Sequence, residues 1–331
     1  MFYSLVRPLL FSVDPELAHD ISLEMLQQFR ALIPKQEIRK PVSVMGLEFP
    51  NPVGLAAGLD KNADYLDGLS RLGFGFIEVG SVTPRAQPGN AKPRIFRLSS
   101  KRCLINRMGF NNLGVDHMMQ RVSGFNRQCL LGINIGKNLD TPVNQALSDY
   151  GLLLERVYQE ADYITINISS PNTPGLRNLQ NETALEALLA GIDDIRKSLE
   201  DRYQCHRPIA VKLSPDLDNQ AIPILSSVLL KYRIDCLIAT NTTLSREYVK
   251  NHPLAEEAGG LSGEALRDQS RHILSAFHRQ LGTDIPIISV GGIDSPEEAK
   301  IRLELGASLV QIYSALIFQG PGLINRILRS L

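Results

Sequence analysis

The stretch Asp162-Tyr-Ile-Thr-Ile-Asn-Ile-Ser-Ser-Pro-Asn-Thr-Pro-Gly-Leu-Arg177 carries the strongest signal in this chain. It begins as a short apolar strand and changes, at Asn167, into a loop rich in hydroxyl and amide side chains and proline. A loop that only joined two elements would need few directed donors and acceptors straight after a strand. Because α/β enzymes place their chemistry in loops at the carboxyl ends of buried strands, the stretch predicts such an enzyme. An ordinary Ser/Asn/Pro turn has the same composition, so that alternative stays open here.

Eight β-type runs of similar character recur along the chain. They lie at 52–57, 74–81, 130–136, 162–168, 208–213, 236–241, 286–292 and 309–314, and helix-like segments such as 184–198, 220–232, 266–281 and 295–305 lie between most of them. Eight strands alternating with helices predict an α/β fold of the (β/α)8, or TIM, barrel type. A doubly wound sheet would usually carry G-x-G-x-x-G after its first strand, and Gly54 and Gly58 do not fit that spacing.

Residues 1–40 differ in pattern from the barrel segment, 41–331. They predict two amphipathic helices, at about 3–11 and 15–33, the second with Leu17, Ile21, Met25, Phe29 and Leu32 at near-helical spacing. Asp14-Pro15 is a typical N-cap and first-turn pair, and Pro34 ends the pattern. From the pattern alone, this pair caps the barrel floor, lies on a membrane surface or lines an apolar channel.

Charge and cysteine usage exclude several classes of function. Lys+Arg and Asp+Glu balance at 35 each, which argues against a nucleic-acid partner bound through charge. The four cysteines (Cys103, Cys129, Cys205 and Cys236) are widely spaced, so we expect buried free thiols and no iron–sulfur or zinc site. The six histidines form no H-E-x-x-H or H-x-H pair, so no metal is expected.

Neither a secretory signal nor a transmembrane segment is predicted. The first residues lack a charged region followed by a small-residue cleavage site. The uncharged stretch 307–325 contains Gln311, Gln319 and a Gly-Pro-Gly break, which favours a strand, a loop and a short helix.

Polar side chains cluster at the carboxyl ends of all eight predicted strands, which converge on one face of a barrel. Two of them are lysines, Lys61 and Lys212, which in a pocket could form a Schiff base, bind a carboxylate or neutralise an anionic cofactor. Gly291-Gly292, Tyr313-Ser314 and Gly263 could bind a phosphate group on backbone N–H groups. A flat ligand with alternating donors and acceptors, such as a pyrimidine, suits the amides Asn106, Asn167, Asn172 and Asn241.

Eight motifs together closely resemble those of class 2, quinone-dependent dihydroorotate dehydrogenases, from the amino-terminal helices to the last strand. They are Gly54-Leu-Ala-Ala-Gly-Leu-Asp-Lys-Asn62, Ile105-Asn-Arg-Met-Gly-Phe-Asn-Asn112, Asn167–Arg177, Val211-Lys-Leu-Ser-Pro215, Ala239-Thr-Asn-Thr-Thr243, Gly259-Gly-Leu-Ser-Gly263, Ser289-Val-Gly-Gly-Ile293 and Gln311-Ile-Tyr-Ser314. The resemblance implies FMN, a ubiquinone or menaquinone acceptor, and oxidation of dihydroorotate to orotate in pyrimidine biosynthesis. It also implies a peripheral protein on the cytoplasmic face of the inner membrane, with no nucleic acid and no obligate protein partner.

The same resemblance assigns roles to single residues. FMN would be held by Ala57, Gly58, Leu59, Asp60, Lys61, Ser81, Asn134, Asn167, Lys212, Thr240, Gly263, Gly292, Tyr313 and Ser314. The substrate would be held by Lys61, Asn106, Arg107, Met108, Gly109, Phe110, Asn167, Asn172, Asn241 and Thr242. The family's quinone route matches His19, Arg97 and Tyr313. Ser81 and Leu59 depart from the family, which often has threonine and phenylalanine there, but a hydroxyl remains at 81.

The implied reaction has Ser170 as the catalytic base, where class 1 relatives use cysteine. Ser170 would remove the C5 proton while C6 delivers hydride to the flavin N5, and Thr173 is a candidate to assist this weak base. Lys61 would pair with the substrate carboxylate, and Lys212 would stabilise negative charge on the flavin.

Three alternatives remain at this point. A Schiff-base aldolase on a similar barrel would use Lys212 as its nucleophile and would be trapped by borohydride. A flavin barrel that reduces uridine in tRNA would want a basic face and a nucleic-acid-binding extension, neither of which is evident. A membrane-docking scaffold without chemistry would not need the full set of pocket amides and lysines, and it would lack flavin.

Overall fold

Eight parallel strands close into a barrel in the structure, a computed structural model that describes residues 2–331. The barrel strands are β3 (Val53–Leu55), β4 (Phe76–Val82), β7 (Leu130–Ile135), β8 (Tyr163–Asn167), β9 (Ile209–Leu213), β10 (Cys236–Ala239), β12 (Ile287–Val290) and β13 (Leu309–Ile312). They follow one another around the barrel in chain order, and β13 pairs with β3 to close it. Each lies within one of the eight β-type runs or overlaps it, so the predicted TIM barrel is confirmed.

Helices pack around the outside of the barrel. They are α3 (Leu66–Ser70), α4 (Val115–Ser123), α5 (Ala146–Val157), α6 (Glu182–Tyr203), α7 (Ala221–Lys231), α8 (Arg267–Leu281), α9 (Pro296–Glu304), α10 (Ser314–Gln319) and α11 (Gly322–Ser330). The Ser295 hydroxyl accepts the Glu298 N–H, which confirms the predicted start of α9. The stretch 307–325 forms a strand, a loop and short helices as predicted.

Two helices precede the barrel, α1 (Phe2–Ser12) and α2 (Pro15–Gln28). The Asp14 carboxylate accepts the N–H groups of Glu16 and Leu17, which confirms the predicted N-cap. The second helix ends at Gln28 and not at 33, because the chain tightens there into a 3-10 turn, Arg30–Leu32. The expected helical pair is therefore present, with one boundary wrong.

Two small sheets were not foreseen from the sequence. The hairpin of β1 (Val42–Val44) and β2 (Leu47–Phe49) lies before the first barrel strand. A three-stranded antiparallel sheet joins β5 (Ile95–Leu98), β6 (Cys103–Asn106) and β11 (Gly260–Gly263). Because β6 pairs with β11 in the register that sets Asn106 opposite Gly260, this sheet brings the loop after β4 to the loop after β10.

Aromatic rings fill the interior of the barrel. Phe49 packs edge-on against Phe76, which packs edge-on against Tyr163, and all three are fully buried. Gly54 and Gly132 make room for these rings, since a Cβ atom would come within 2.3 Å of Phe76 or 2.2 Å of Tyr163. These rings fill the barrel interior at this level. An open cavity within the barrel can therefore lie only toward the carboxyl ends of the strands.

All four cysteines are free; Cys103, Cys129 and Cys236 are buried, whereas Cys205 is partly exposed. Among the helices of residues 2–331, none is both long and apolar enough to cross a membrane. Within the same residues, no three His, Cys, Asp or Glu side chains come together as they would around a metal ion.

Candidate functional site

One continuous cavity of about 860 Å³ lies at the carboxyl ends of the barrel strands and extends beneath α1 and α2. Its inner part is lined by amides, hydroxyls and two lysines. Its outer part is lined by apolar side chains of the two helices and reaches the exposed residues Met25, Phe29 and Leu32. A polar chamber therefore communicates with an apolar passage in one space.

The structure brings most of the predicted site residues to this cavity. Those lining it are Ala57, Gly58, Leu59, Lys61, Ser81, Asn106, Met108, Gly109, Phe110, Asn167, Ser170, Asn172, Lys212, Thr240, Asn241, Thr242, Gly263, Gly292, Tyr313 and Ser314, together with His19 and Arg97 of the predicted quinone route. Three predicted residues, Asp60, Asn134 and Arg107, do not line it.

Each of these three side chains has other partners. The buried Asp60 carboxylate accepts the N–H groups of Asp64 and Tyr65, and desolvation by burial raises its pKa to about 6. The Arg107 guanidinium donates to Glu257 at 2.7 Å and stacks over the Phe96 ring. Asn134 is fully buried beneath the cavity wall. None of the three residues therefore lines the cavity in this structure.

Two lysines, the partly buried Lys61 and the buried Lys212, give the polar chamber its positive charge. Lys61 Nζ donates to the Gly58 carbonyl at 2.7 Å, and desolvation by burial lowers its pKa to about 8. Lys212 is only 5% exposed, and its ammonium makes no hydrogen bond with the described residues. Burial lowers the Lys212 pKa, while the Glu78 charge acts to raise it. A buried ammonium without a partner favours an anionic or electron-rich ligand.

The loop that follows β8 places Ser170 at the cavity. Ser170 Oγ accepts the Asn172 N–H at 3.3 Å, and the Asn172 amide donates to the Asn106 carbonyl at 3.1 Å. Arg177 fixes the loop by donating to the Ser169 carbonyl at 3.0 Å. The hydroxyl of Thr173 is buried and has no hydrogen-bond partner among the described residues, so no bond to Ser170 is present.

Three glycines form a concave backbone surface at one end of the chamber. Gly263, Gly291 and Gly292 all have positive φ. A Cβ atom would lie 2.3 Å from the Arg102 carbonyl oxygen at Gly263 and 2.5 Å from Arg267 Cα at Gly292, so side chains are excluded there. Behind this surface the Gly291 carbonyl accepts from Arg302 at 2.8 Å and from Ser270 at 2.7 Å.

A buried hydrogen-bond network beneath the chamber was missed by sequence reasoning. Its centre is Glu78 on β4, which accepts from Asn134 at 2.7 Å, from Tyr163 at 3.0 Å and from Gln311 at 2.7 Å. The signal was present, because a glutamate interrupts the apolar run Phe74-Gly-Phe-Ile-Glu-Val. The same reasoning that singled out Lys212 would have singled out Glu78, although not its partners.

The apolar end of the cavity contains the three residues of the predicted quinone route. His19 lines the cavity and is neutral, because desolvation and the charge of Lys61 lower its pKa to about 3. The Arg97 guanidinium donates to carbonyl oxygens of Leu10 and Val13 and lies over the Phe11 ring. Tyr313 lies against Gly58, its hydroxyl 3.4 Å from the Gly58 carbonyl oxygen, and lines the cavity as well.

The sequence profile of the family described as "Dihydroorotate dehydrogenase" matches residues 40–331. The chain is also 52% identical over 334 residues to the dihydroorotate dehydrogenase (quinone) of Idiomarina loihiensis, covering 99% of this chain and 100% of that protein. This chain belongs to the dihydroorotate dehydrogenase family.

Further dihydroorotate dehydrogenases resemble it over nearly their whole length. The quinone-dependent protein of Acinetobacter baylyi is 52% identical over 327 residues, with 98% of each chain covered. The solved structure of DHODH from Eimeria tenella in complex with ferulenol is 37% identical, with a TM-score of 0.89 over 96% of this chain and 90% of that one. That match includes most of the amino-terminal segment, so the likeness of this chain to its relatives is not confined to the barrel.

Proposed function

We propose that this protein oxidises dihydroorotate to orotate in pyrimidine biosynthesis and passes the electrons to a quinone. Its membership of the dihydroorotate dehydrogenase family and its identity to quinone-dependent relatives support the reaction. The observation that carries the proposal is the single cavity, which joins Ser170 and Lys61 at the polar end to α1 and α2 at the apolar end. Such a space accommodates a polar substrate and an apolar acceptor at opposite ends.

The polar chamber suits a flat, anionic pyrimidine. Asn106, Asn167, Asn172 and Asn241 supply amide donors and acceptors, and Lys61 supplies a charge for the carboxylate. Met108 to Phe110 and Thr242 complete the lining, whereas Arg107 does not line the cavity. Because hydrogen bonds fix the position of Asn172 and Asn167, the ring would meet preorganised partners.

The remaining wall of the chamber fits FMN. Gly263, Gly292 and the start of α10 at Ser314 would hold the phosphate on backbone N–H groups, and the unpartnered ammonium of Lys212 would face the isoalloxazine ring. Ala57 to Lys61, Ser81, Asn167, Thr240 and Tyr313 complete the set, with Asn134 acting through Ser81. The chemistry that bound FMN supplies is acceptance of the C6 hydride and transfer of the electrons to the quinone.

Ser170 would remove the C5 proton. Ser170 lies in the cavity wall and is only 7% exposed, so water has little access to it. Serine is a weak base and needs a hydrogen-bond partner for the proton it gains. Thr173, three residues further on, has a buried hydroxyl without a partner and can serve once substrate is bound.

Residues 1–40 form the quinone and membrane segment in this proposal, and residues 41–331 form the catalytic barrel. Large apolar side chains point outward from α1 and α2 and from the turn after them, with Leu5 75% exposed, Leu9 70% and Leu32 79%. Leu17, Ile21, Met25 and Phe29 continue this surface at a spacing of four residues. Such a surface favours binding in the headgroup region of a membrane, where a lipid-soluble ubiquinone or menaquinone is dissolved. We place the protein at the cytoplasmic face of the inner membrane.

An anaerobic experiment tests the proposal. The purified protein, reconstituted with FMN if needed, is mixed with dihydroorotate in the absence of an acceptor. The proposal expects the flavin absorbance near the visible maximum to bleach and a ubiquinone analogue to restore it. A flavin that stays oxidised would overturn the substrate assignment, and a protein unable to take up FMN would favour the Schiff-base aldolase, with borohydride trapping at Lys212 as its test.

A further inference from the structure

We propose that Glu78 is a positioning residue, whose carboxylate fixes the donor and acceptor directions of the side chains that form the polar chamber. The inference rests on the proposed function, because the chamber is the site proposed for FMN and the pyrimidine. Glu78 itself does not reach the cavity. It acts through a chain of hydrogen bonds that runs from β4 through β7 and β8 to the loop after β10.

Glu78 accepts in each of its three hydrogen bonds. The side chain is 0% exposed, and its three partners are the amides of Asn134 and Gln311 and the hydroxyl of Tyr163. Burial and the charge of Glu78 raise the pKa of Tyr163 well above its ordinary value, so the phenol keeps its hydrogen. Because the Tyr163 phenol and the two amide NH2 groups all donate, the carboxylate of Glu78 offers its neighbours only acceptor oxygens.

This requirement determines the orientation of every later side chain in the series of hydrogen bonds that starts at Glu78. Asn134 gives its Nδ2 to Glu78, so its Oδ1 faces Ser81 and accepts from the Ser81 hydroxyl. Ser81 Oγ then accepts from Asn167 Nδ2 at 2.8 Å. As a result, Asn167 Oδ1 accepts from the Ser169 N–H at 3.2 Å and from Asn241 Nδ2 at 3.3 Å.

The substitution Glu78→Gln would reverse the first part of this chain. The new amide would keep its oxygen for Tyr163 and Gln311 and turn its NH2 group toward Asn134. Asn134 and Ser81 can both turn around. Ser81 Oγ would then either accept from Asn134 and Asn167 together, so that its own hydrogen loses its acceptor, or donate to Asn167, which would have to present Nδ2 to the Ser169 N–H. The Ser169 N–H is a backbone group and cannot turn. In that second case Asn167, which lines the chamber, would hold its buried NH2 group against another donor.

The test is a pair of dissociation constants, for FMN with flavin-free protein and for orotate with the FMN-loaded protein, each followed by the flavin spectrum. We expect Glu78→Gln to weaken orotate binding about tenfold or more, the size expected for one buried unmatched polar group. FMN binding should weaken as well. Unchanged constants in a folded Glu78→Gln variant would overturn the inference. If the unsubstituted protein fails to bind orotate, the proposed function fails instead.

A double variant provides the rescue. In Glu78→Gln/Asn134→Asp, the new amide at position 78 donates to one oxygen of the new carboxylate at position 134. The other carboxylate oxygen still accepts from Ser81, so Asn167 keeps its orientation. Both constants should return to within about threefold of the original protein. A double variant that binds FMN and orotate as weakly as Glu78→Gln overturns the inference. If Glu78→Gln does not fold, a double variant that also fails to fold overturns it too.

Tyr163→Phe is the matched control. It removes one donor to Glu78 but leaves the direction of the Asn134, Ser81 and Asn167 chain unchanged. We expect a lower thermal unfolding midpoint with both dissociation constants within about twofold. If Tyr163→Phe weakens orotate binding as much as Glu78→Gln, then packing and not polarity accounts for the effect, and the inference is wrong.

Discussion

Arg94 and Glu16 form a buried ion pair that fastens α2 to the segment between β4 and β5. Arg94 Nη2 donates to Glu16 Oε1 at 2.7 Å, and the two side chains are 8% and 10% exposed. Arg94 also donates to the carbonyl oxygens of Pro88 and Asn90, and the Asn90 amide donates to the Arg107 carbonyl. The amino-terminal helices are therefore anchored to the loops that carry the predicted substrate residues.

The first prediction concerns this ion pair. Glu16→Ala leaves the Arg94 guanidinium buried without its carboxylate, a change that costs about 3–5 kcal/mol in comparable buried pairs. We expect α2 to loosen and the Michaelis constant for a quinone analogue to rise severalfold in steady-state assays. Glu24→Ala removes an exposed carboxylate from the same helix and should leave that constant unchanged. An increase confined to the constant for dihydroorotate would contradict the prediction.

The second prediction concerns Ser170. Ser170→Ala should keep bound flavin but lose its proton acceptor, slowing flavin reduction by dihydroorotate about 10²- to 10⁴-fold at neutral pH. Stopped-flow absorbance measures this step without quinone. Ser170→Cys, which restores a titratable group at the same position, should recover part of the rate. Near-normal reduction by the alanine variant would show that another group is the base.

The third prediction concerns the pH dependence of substrate affinity. Burial lowers the pKa of Lys61 to about 8 in the free site, so its charge is present below this pH and is lost above it. The Michaelis constant for dihydroorotate should therefore rise as pH increases from about 7 to 9, toward tenfold per pH unit. Arginine keeps its charge over this pH range. In Lys61→Arg the rise in the Michaelis constant should therefore vanish, whatever the affinity of the variant for dihydroorotate. A rise of equal size in the arginine variant would place the titration elsewhere.

The fourth prediction concerns the apolar surface of α1. Leu5→Glu/Leu9→Glu should lower partition onto phospholipid vesicles at least tenfold, because each buried leucine contributes about 1.5–3 kcal/mol. Anaerobic flavin reduction by dihydroorotate should be unaffected. The control Leu152→Glu/Leu230→Glu places the same charges on exposed leucines of α5 and α7. Equal loss of vesicle binding in the control would mean that added charge, and not the α1 surface, is responsible.

The fifth prediction concerns stability. Hydrogen bonds to Asp235 and Glu200 raise the pKa of the half-exposed His206 to about 9. The contribution of protonated His206 to the free energy of unfolding is therefore complete below about pH 6.5, the ordinary pKa of histidine. It is lost as the pH rises through about 9. His206→Gln should lower the free energy of unfolding by less than about 1 kcal/mol at about pH 6 and not at all near pH 10. Urea titrations at both pH values check this, and a loss of equal size at both would contradict the prediction.

The barrel was predictable because each of its strands is a short apolar run followed by a polar turn, a local pattern. The three-stranded sheet was not, because β6 pairs with β11 across more than 150 positions of the chain, as between Asn106 and Gly260. Pairing at that distance leaves no periodic signal in the chain. The end of α2 was also misplaced, since apolar residues continue past Gln28 into the 3-10 turn.

Much of the cavity lining was predictable from motifs, but the directions of side chains were not. Asp60 lies between Leu59 and Lys61, which line the cavity, yet its carboxylate turns away to accept backbone N–H groups. The role of Glu78 could not be read from its neighbours in sequence, because its partners come from three other strands. The sequence also left open whether the stripe from Leu17 to Phe29 faces the barrel or the solvent, and the structure places these side chains outward.

The contacts of α1 with α10 join the two extremes of the chain. Tyr3 donates to the Ile317 carbonyl and Arg7 to that of Phe318, and the last barrel strand precedes α10 directly. During synthesis on the ribosome, this docking surface for α1 cannot exist until the polypeptide has been made as far as α10. Helix α2 can contact Arg94 much earlier, whereas the apolar helix α1 finds its place against α10 only after the last barrel strand has been made.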